Sequence, residues 1–194
     1  MPLYTSTYLR NLSEKKSIAT RDKLLSESKR AHLSFDIFLS HSFLDKKEVE
    51  GIYIELTQKG FSVYVDWIVD PHLDRNNVTK QTAELIRTRM RASKTLLLAI
   101  STNATLSKWM PWELGFVDGK TSRCAIFPVS TDSTPPRTFN RSEYLLLYPY
   151  IKKATMGFIE GLYLIESANS YVSIDNWINR NSNPEYKSTN IDIL

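Results

Sequence analysis

Four short apolar runs, separated by segments of helical periodicity, constrain the fold of this chain more than any other feature. They are residues 35–40 (FDIFLS), 61–66 (FSVYVD), 94–101 (KTLLLAIS) and 124–129 (CAIFPV). The third run is apolar without alternation, which is typical of a strand covered on both faces of a parallel sheet. Strands that alternate with helices are joined by crossovers. The sequence therefore predicts an α/β fold: a doubly wound parallel sheet of four to five strands with helices on both faces.

The segments between the runs predict three helices. Apolar spacing indicates helices over 45–59 and 79–92, and a third helix that begins between Ser107 and Pro111, since proline is tolerated only in a first turn. Proline in the fourth run predicts that this strand lies nearer an edge of the sheet.

The chain is expected to have three regions. A basic, polar N-terminal extension at 1–34 is partly helical, and its helix, over 22–32, is expected to pack loosely or to serve assembly. The folded domain spans 35–180 and a polar tail follows at 181–194. The C-terminal part of the domain is predicted to add two short strands, at 143–151 and 162–166, and a helix at 173–179 that Trp177 anchors.

Composition excludes several kinds of protein. One cysteine rules out an internal disulfide framework, and three scattered histidines leave no zinc ligand set, so we expect no metal. With no apolar run of about 18 residues and no signal-peptide pattern, we expect a cytoplasmic protein that does not cross a membrane. Residues 1–34 carry seven basic and three acidic side chains, and these account for the whole net charge of +4. A nucleic-acid-binding domain shows its basic excess within the fold, so we expect no nucleic acid partner.

One carboxylate falls on an apolar helical face. In SKWMPWELGFVDG, residues 107–119, Trp109, Trp112 and Phe116 share an arc and Glu113 lies inside it. An ionised carboxylate on a buried face is costly unless a neighbour or a ligand uses it. Glu113 is therefore either a structural glutamate or a functional group, and the tryptophans are either core or a surface for a flat, cationic ring.

Ligands of open α/β sheets bind beyond the carboxyl ends of the strands. Residues 40–43, 66–67 and 101–103 follow the first three predicted strands, and the helix of Glu113 begins at the same rim. The segment after the first strand, SHSFLDK, contains no glycine and thus no phosphate-binding fingerprint.

FDIFLSHS, GFSVYVDW, TLLLAIS and the Trp-x-x-x-Glu pair of Trp109 and Glu113 together resemble the TIR (Toll/interleukin-1 receptor) domain family over about 35–150. The resemblance implies a flavodoxin-like TIR fold. It extends to bacterial stand-alone members such as the TIR subunit of Thoeris anti-phage systems. In catalytic members the glutamate of this motif is essential for cleaving NAD+. The resemblance therefore implies that Glu113 is catalytic and that NAD+ is a substrate, with no cofactor required.

The rim and the resemblance together suggest seven substrate-binding residues: Ser40, His41, Phe43, Asp66, Trp67, Trp109 and Trp112. We expect one of the last two tryptophans to pack in the core and the other to face the nicotinamide. Ser40 and Asp66 are expected to orient neighbours. His41 either donates to the ligand or caps its strand, and Trp67 either contacts the ligand or anchors its loop.

Three functions stay open. The first is an NAD+ glycohydrolase or cyclase that releases nicotinamide and forms ADP-ribose or a cyclic isomer as a signal in anti-phage defence. The second is a non-catalytic TIR interaction module that acts by homotypic assembly, and the third is an enzyme similar to nucleoside deoxyribosyltransferases. For the first, the expected partners are NAD+, further copies of the chain in an oligomer or filament, and a separate effector protein that senses the product.

Overall fold

The computed structural model describes residues 3–15, 34–73, 79–131, 143–156 and 159–188. The strands are β1 Tyr4–Thr5, β2 Phe35–Ser40, β3 Val63–Tyr64, β4 Ser93–Ile100, β5 Cys124–Ser130, β6 Tyr150–Met156, β7 Ile159–Ser167, β8 Ser170–Ser173 and β9 Glu185–Tyr186. The helices are α1 Ser6–Lys15, α2 Lys46–Gln58, α3 Asp66–Val69, α4 Lys80–Arg91, α5 Trp109–Thr121 and α6 Ile174–Arg180. Short 3₁₀ turns lie at Phe43–Asp45, Ala104–Leu106 and Glu143–Leu147.

The central sheet is parallel and has the strand order β3-β2-β4-β5-β6. This is the strand order of flavodoxin-like folds. The chain adds β3 on one side of β2 and then adds β4, β5 and β6 on the other side, so the strand order reverses between β2 and β4. The predicted α/β fold is confirmed. Beyond β6 the sheet continues with β7, β8 and β9, which pair in antiparallel fashion.

Helices cover both faces of the sheet because successive strand residues point to opposite sides. On β2, Ile37 and Leu39 face a core that includes α1, α2 and α6, with Trp177 of α6 buried in it. Phe38 faces the opposite core, which includes α4 and α5. The predicted terminal helix anchored by Trp177 is confirmed as α6.

Three local predictions were wrong, and one of them is the strand predicted over 143–151, because Glu143–Leu147 forms a 3₁₀ turn and the strand begins at Tyr150. The second strand is limited to Val63–Tyr64, because the Asp66 carboxylate accepts a hydrogen bond from the Trp67 N–H at 2.8 Å and the chain turns into α3. Pro128 does not mark an edge, since β5 lies between β4 and β6. The proline is tolerated because β6 pairs with β5 at Ile126, two residues before it.

The described start of the chain, residues 3–15, packs against the central sheet and α2. Strand β1 pairs with the end of β5, and α1 lies against α2. The backbone of Leu9 approaches Gly51 so closely that a side chain there would overlap its carbonyl oxygen. The helix predicted over 22–32 lies outside the described residues. At the other end, β9 pairs with β8 within the segment predicted to be a polar tail. In the described part of the chain, no helix has the length and apolar character needed to cross a membrane.

Candidate active site

Glu113 lies on the inward face of α5. The buried residues of this helix are Met110, Glu113, Leu114 and Val117, which recur at helical spacing and face the sheet. Glu113 has no exposed surface. The tryptophans of the segment occupy the neighbouring stripe and are only partly buried. The sequence thus placed Glu113 correctly on a buried face, although that face is defined by aliphatic residues and not by the tryptophans.

The end of β2 supplies a hydrogen-bond donor to this carboxylate. Ser40, the last residue of β2, donates from Oγ to Glu113 Oε2 over 2.5 Å. Ser40 itself has no exposed surface. The two residues therefore form a buried link between the central sheet and α5, at the carboxyl end of the strand.

A cleft of about 680 Å³ opens beside this pair. It lies where β2 and β4 meet, which is the position that strand order predicts for a ligand. Its lining comes from the loop after β2, from α4, and from the segment that leads into α5: His41, Ser42, Phe43, Leu44, Ala83, Arg87, Leu106, Ser107, Lys108, Trp109 and Trp112. Ser40 and Glu113 are not among the lining residues, but each is next in sequence to one, His41 or Trp112, and neither has exposed surface.

Both tryptophans of the α5 segment line the cleft. Trp109 and Trp112 meet edge to face, with ring centroids 5.5 Å apart. The guanidinium of Arg87, from α4, lies 5.3 Å from the centroid of Trp112. We expected one tryptophan to pack in the core and the other to face the ligand. The structure instead places both, each partly buried, in the cleft lining.

His41 is held from both ends of its ring. Its Nδ1 lies 2.8 Å from the carbonyl oxygen of Leu39, so Nδ1 carries a proton and donates. Its Nε2 lies 3.3 Å from Asp66 Oδ1, and both side chains are buried. Asp66 thus orients His41 from the start of α3, while His41 contributes to the cleft wall.

The lip of the cleft is apolar and exposed. Phe43, Leu44 and Leu106 each leave more than half of their surface exposed. Asp45 connects the two loops that carry them, because its buried carboxylate accepts from Ser101 Oγ at 2.5 Å and from Asn103 Nδ2 at 2.7 Å. These contacts bring the segments after β2 and β4 to one mouth.

The model of the TIR domain family matches residues 37–154. The chain belongs to the TIR domain family. This TIR domain is 46% identical over 149 residues to "Probable 3' cyclic ADP-D-ribose synthase ThsB'" of Bacillus cereus, which covers 76% of this chain and 77% of the relative. It is also 30% identical over 93 residues to "Putative cyclic ADP-D-ribose synthase TIR2" of Cytobacillus dafuensis, covering 46% of this chain and 24% of that relative.

Solved structures include the TIR domain of the Toll-related receptor TRR-2 from Hydra magnipapillata. It is 16% identical to this TIR domain, with a TM-score of 0.42 and coverage of 60% of this chain and 84% of that one.

Three predicted substrate-binding residues, Ser40, Asp66 and Trp67, are not among the described residues that line the cleft, and Trp67 is the one whose ring packs on the opposite side of the sheet from α5. Its ring packs, partly buried, against the core on the α2 side of the sheet. The ammonium of Lys46 lies 4.8 Å from its ring centroid. Neither Trp67 nor Asp66 is among the described residues that line the cleft. In this arrangement Trp67 anchors the loop that it begins.

Sequence reasoning missed the contribution of α4 and of the loop before α5. Arg87 and Ala83 line the cleft from α4, and Leu106 and Lys108 line it from the loop. The arginines of α4 lie outside the apolar stripe of Ile86 and Met90, and Arg87 and Arg91 contact aromatic rings of α5 there. A solvent face and a cleft face have the same polar signature in sequence, so no local signal distinguished them.

Proposed function

We propose that this TIR domain breaks the bond between nicotinamide and ribose in NAD+ and closes the remaining ADP-ribose into a cyclic isomer. Glu113 carries the proposal: a fully buried carboxylate, oriented by Ser40, adjoins a cleft lined by two tryptophans. The relatives of this family that are named as cyclic ADP-D-ribose synthases support it.

The chemistry requires one carboxylate. When the glycosidic bond breaks, its electron pair moves onto the ring nitrogen, and the cationic pyridinium leaves as neutral nicotinamide. A glycoside needs a general acid to protonate its leaving oxygen, but this leaving group needs none. Positive charge develops on the ribose, and an ionised Glu113 beside it stabilises that charge.

The nucleophile decides the product. If water attacks the ribose carbon and loses a proton, the product is ADP-ribose. If a hydroxyl or ring nitrogen from the adenosine half of the same molecule attacks, the product is a cyclic isomer. We assign cyclisation to this chain on the names of its relatives. The product would then act as a signal in anti-phage defence, received by a separate effector protein in the cytoplasm.

Glu113 is covered in the described arrangement, since it has no exposed surface. Ribose therefore reaches the carboxylate only after residues of the cleft wall move. We propose that this rearrangement accompanies assembly of the chain into an oligomer, so that the isolated protein has low basal activity. NAD+ is a substrate in this scheme and no further cofactor is used.

The test is nicotinamide release from NAD+ by the purified protein at high concentration, with products resolved by mass. Glu113→Gln keeps the shape of the side chain and removes its charge, so the rate should fall by roughly 100-fold or more. The melting temperature of Glu113→Gln should equal or exceed that of the wild type, because a buried charge is removed. Glu48→Gln, a buried glutamate of α2 outside the cleft lining, is the matched control and should retain activity.

The interaction-module hypothesis predicts a different result. It requires that no nicotinamide is released, even in lysate from phage-infected cells, and that Glu113→Gln changes nothing. Either observation would overturn the enzymatic proposal. Trapping of a glycosyl group on Glu113 would instead support the transferase-like mechanism.

A further inference from the structure

The charge of the cleft lining is one-sided. Among the described residues that line it, Arg87 and Lys108 are cationic and none is a carboxylate. The other lining groups are apolar, aromatic or neutral polar side chains, with His41 held by Asp66. Such a cleft matches a ligand that combines flat rings with two negative charges.

Arg87 is built into the wall of the cleft. Its guanidinium lies over the Trp112 ring, and its side chain is 36% exposed. Nη1 contacts Glu84 Oε2 at 3.3 Å, which involves one of the five N–H donors of the group. A cation–π contact leaves the N–H groups of a guanidinium available, and two of them can donate in parallel to one anion.

The next turn of α4 repeats this arrangement outside the cleft. Arg91 contacts the other oxygen of Glu84 at 2.9 Å and lies 5.6 Å from the centroid of Phe116. Hydrogen bonds from Arg91 and then Arg87 lower the pKa of Glu84, so its carboxylate is ionised and holds both arginines. The two arginines thus share an anion and each lies near an aromatic ring, but Arg87 lines the cleft and Arg91 is not among its lining residues.

We propose that Arg87, assisted by Lys108, binds the diphosphate of the substrate. The inference rests on the proposed function for the identity of the substrate, and on the charge of the lining for the group that is bound. A diphosphate offers adjacent anionic oxygens that match the fork of a guanidinium, whereas Lys108 contributes a point charge from the segment leading into α5.

This contact would also favour cyclisation. The diphosphate joins the two nucleosides of NAD+, so holding it limits how far the adenosine half can move from the ribose carbon where the bond breaks. Cyclisation forms one bond from an adenosine atom to that carbon, breaks the bond to nicotinamide and releases one proton. If the adenosine half moves freely, water attacks the ribose carbon instead. Loss of Arg87 should therefore raise the fraction of ADP-ribose among the products.

The experiment measures the affinity of ADP and of adenosine by titration calorimetry for the wild type, Arg87→Gln and Arg91→Gln. ADP binding should weaken on the order of tenfold to a hundredfold in Arg87→Gln, since charge-assisted hydrogen bonds are lost. Arg91→Gln should bind ADP as the wild type does. Adenosine should bind all three proteins equally, and Arg87→Lys should lie between wild type and Arg87→Gln for ADP.

Each result decides one proposal. Equal ADP affinity in wild type and Arg87→Gln, equal losses in both glutamine variants, or no ADP binding by the wild type would overturn the role of Arg87. A selective loss of ADP affinity in Arg87→Gln supports that role even if no nicotinamide is ever released. The absence of nicotinamide release would overturn only the proposed function. Where turnover is measurable, a higher fraction of ADP-ribose from Arg87→Gln than from Arg91→Gln is the further expected result.

Discussion

Two glutamates, Glu48 and Glu113, occupy similar positions on opposite faces of the sheet. Each lies on a helix, each is buried, and each accepts a hydrogen bond of 2.5 Å from a serine hydroxyl. Around Glu48 the N-terminal segment closes over the carboxylate, with Ser6 Oγ and the Arg10 Nε, at 2.6 Å, both directed at Oε1. Beside Glu113 the structure instead leaves a cleft of about 680 Å³.

The difference separates a carboxylate whose charge is used within the fold from the carboxylate that we propose to be catalytic. Burial by itself raises the pKa of Glu48, but the hydrogen bonds from Ser6 and Arg10 outweigh it, so the pKa is lowered and the charge is stabilised. An arginine that already neutralises a carboxylate leaves it little capacity to stabilise a second cation. Ser40 is neutral, so its hydrogen bond orients Glu113 without using its charge.

The largest expected difference between the two glutamates appears when the serine hydroxyl that donates to each is removed. Ser40→Ala removes a hydrogen bond to a charged group, which is worth about 1.5–3 kcal/mol, so nicotinamide release should fall roughly 10- to 100-fold with little change in KM. Ser6→Ala removes the equivalent hydroxyl beside Glu48 and should leave the rate unchanged while it lowers the free energy of unfolding. Steady-state kinetics and urea unfolding of both variants provide the check.

Equal rate losses in Ser40→Ala and Ser6→Ala would show that both act through global stability, and the positioning role of Ser40 would be abandoned. A rise in KM without a change in kcat would assign Ser40 to ground-state binding instead.

Two helical glycines allow a covered helix face to be compared with an open one: Gly51 of α2 lies against α1, and Gly115 of α5 faces open space. A Cβ at Gly51 of α2 would overlap the backbone of Leu9, so Gly51→Ala should cost roughly 1–3 kcal/mol by forcing α1 away from α2. A Cβ at Gly115 of α5 meets nothing within 4 Å. Gly115→Ala should therefore be neutral or stabilise the protein by up to about 1 kcal/mol, through helix propensity alone.

Urea unfolding of the two alanine variants measures this difference. If Gly51→Ala were as stable as Gly115→Ala, the close approach of α1 to α2 would not be a feature of the folded protein in solution.

The smallest effect concerns pH. The pKa of Glu48 in the folded protein lies below its ordinary value of 4.5, so its ionisation stabilises the fold above that value. The contribution is lost as the pH falls from 4.5 through the lower, folded pKa. The difference in unfolding free energy between wild type and Glu48→Gln should accordingly be constant near neutral pH and shrink below about pH 4.5. A difference that grew towards acid would contradict the lowered pKa.

Much of the scaffold could be predicted from local pattern. The apolar run of β4 predicted a strand covered on both faces, and Leu96 and Leu97 point into opposite cores. The helical arc around Glu113 predicted a buried carboxylate, and Glu113 has no exposed surface. Both predictions depend on the spacing of apolar residues within a single element, which the backbone period fixes.

Other features failed because they depend on contacts between distant segments. Pro128 lies inside the sheet because β5 is flanked by β4 and β6, and Trp67 lies against the α2 side because α3 turns it there. The position of Arg87 in the cleft follows from the packing of α4 beside α5, which no residue pattern within α4 reports.

Local patterns in the sequence were enough to predict the family, the alternation of strands and helices, and the helix that carries Glu113, because periodicity and short motifs are local properties of the chain. Three features are visible only in the folded structure: Ser40 contacts Glu113, Arg87 and Lys108 line one cleft, and residues 3–15 pack on the side of the sheet that α2 covers. These are juxtapositions of residues far apart in the chain, and they are fixed by how whole elements pack.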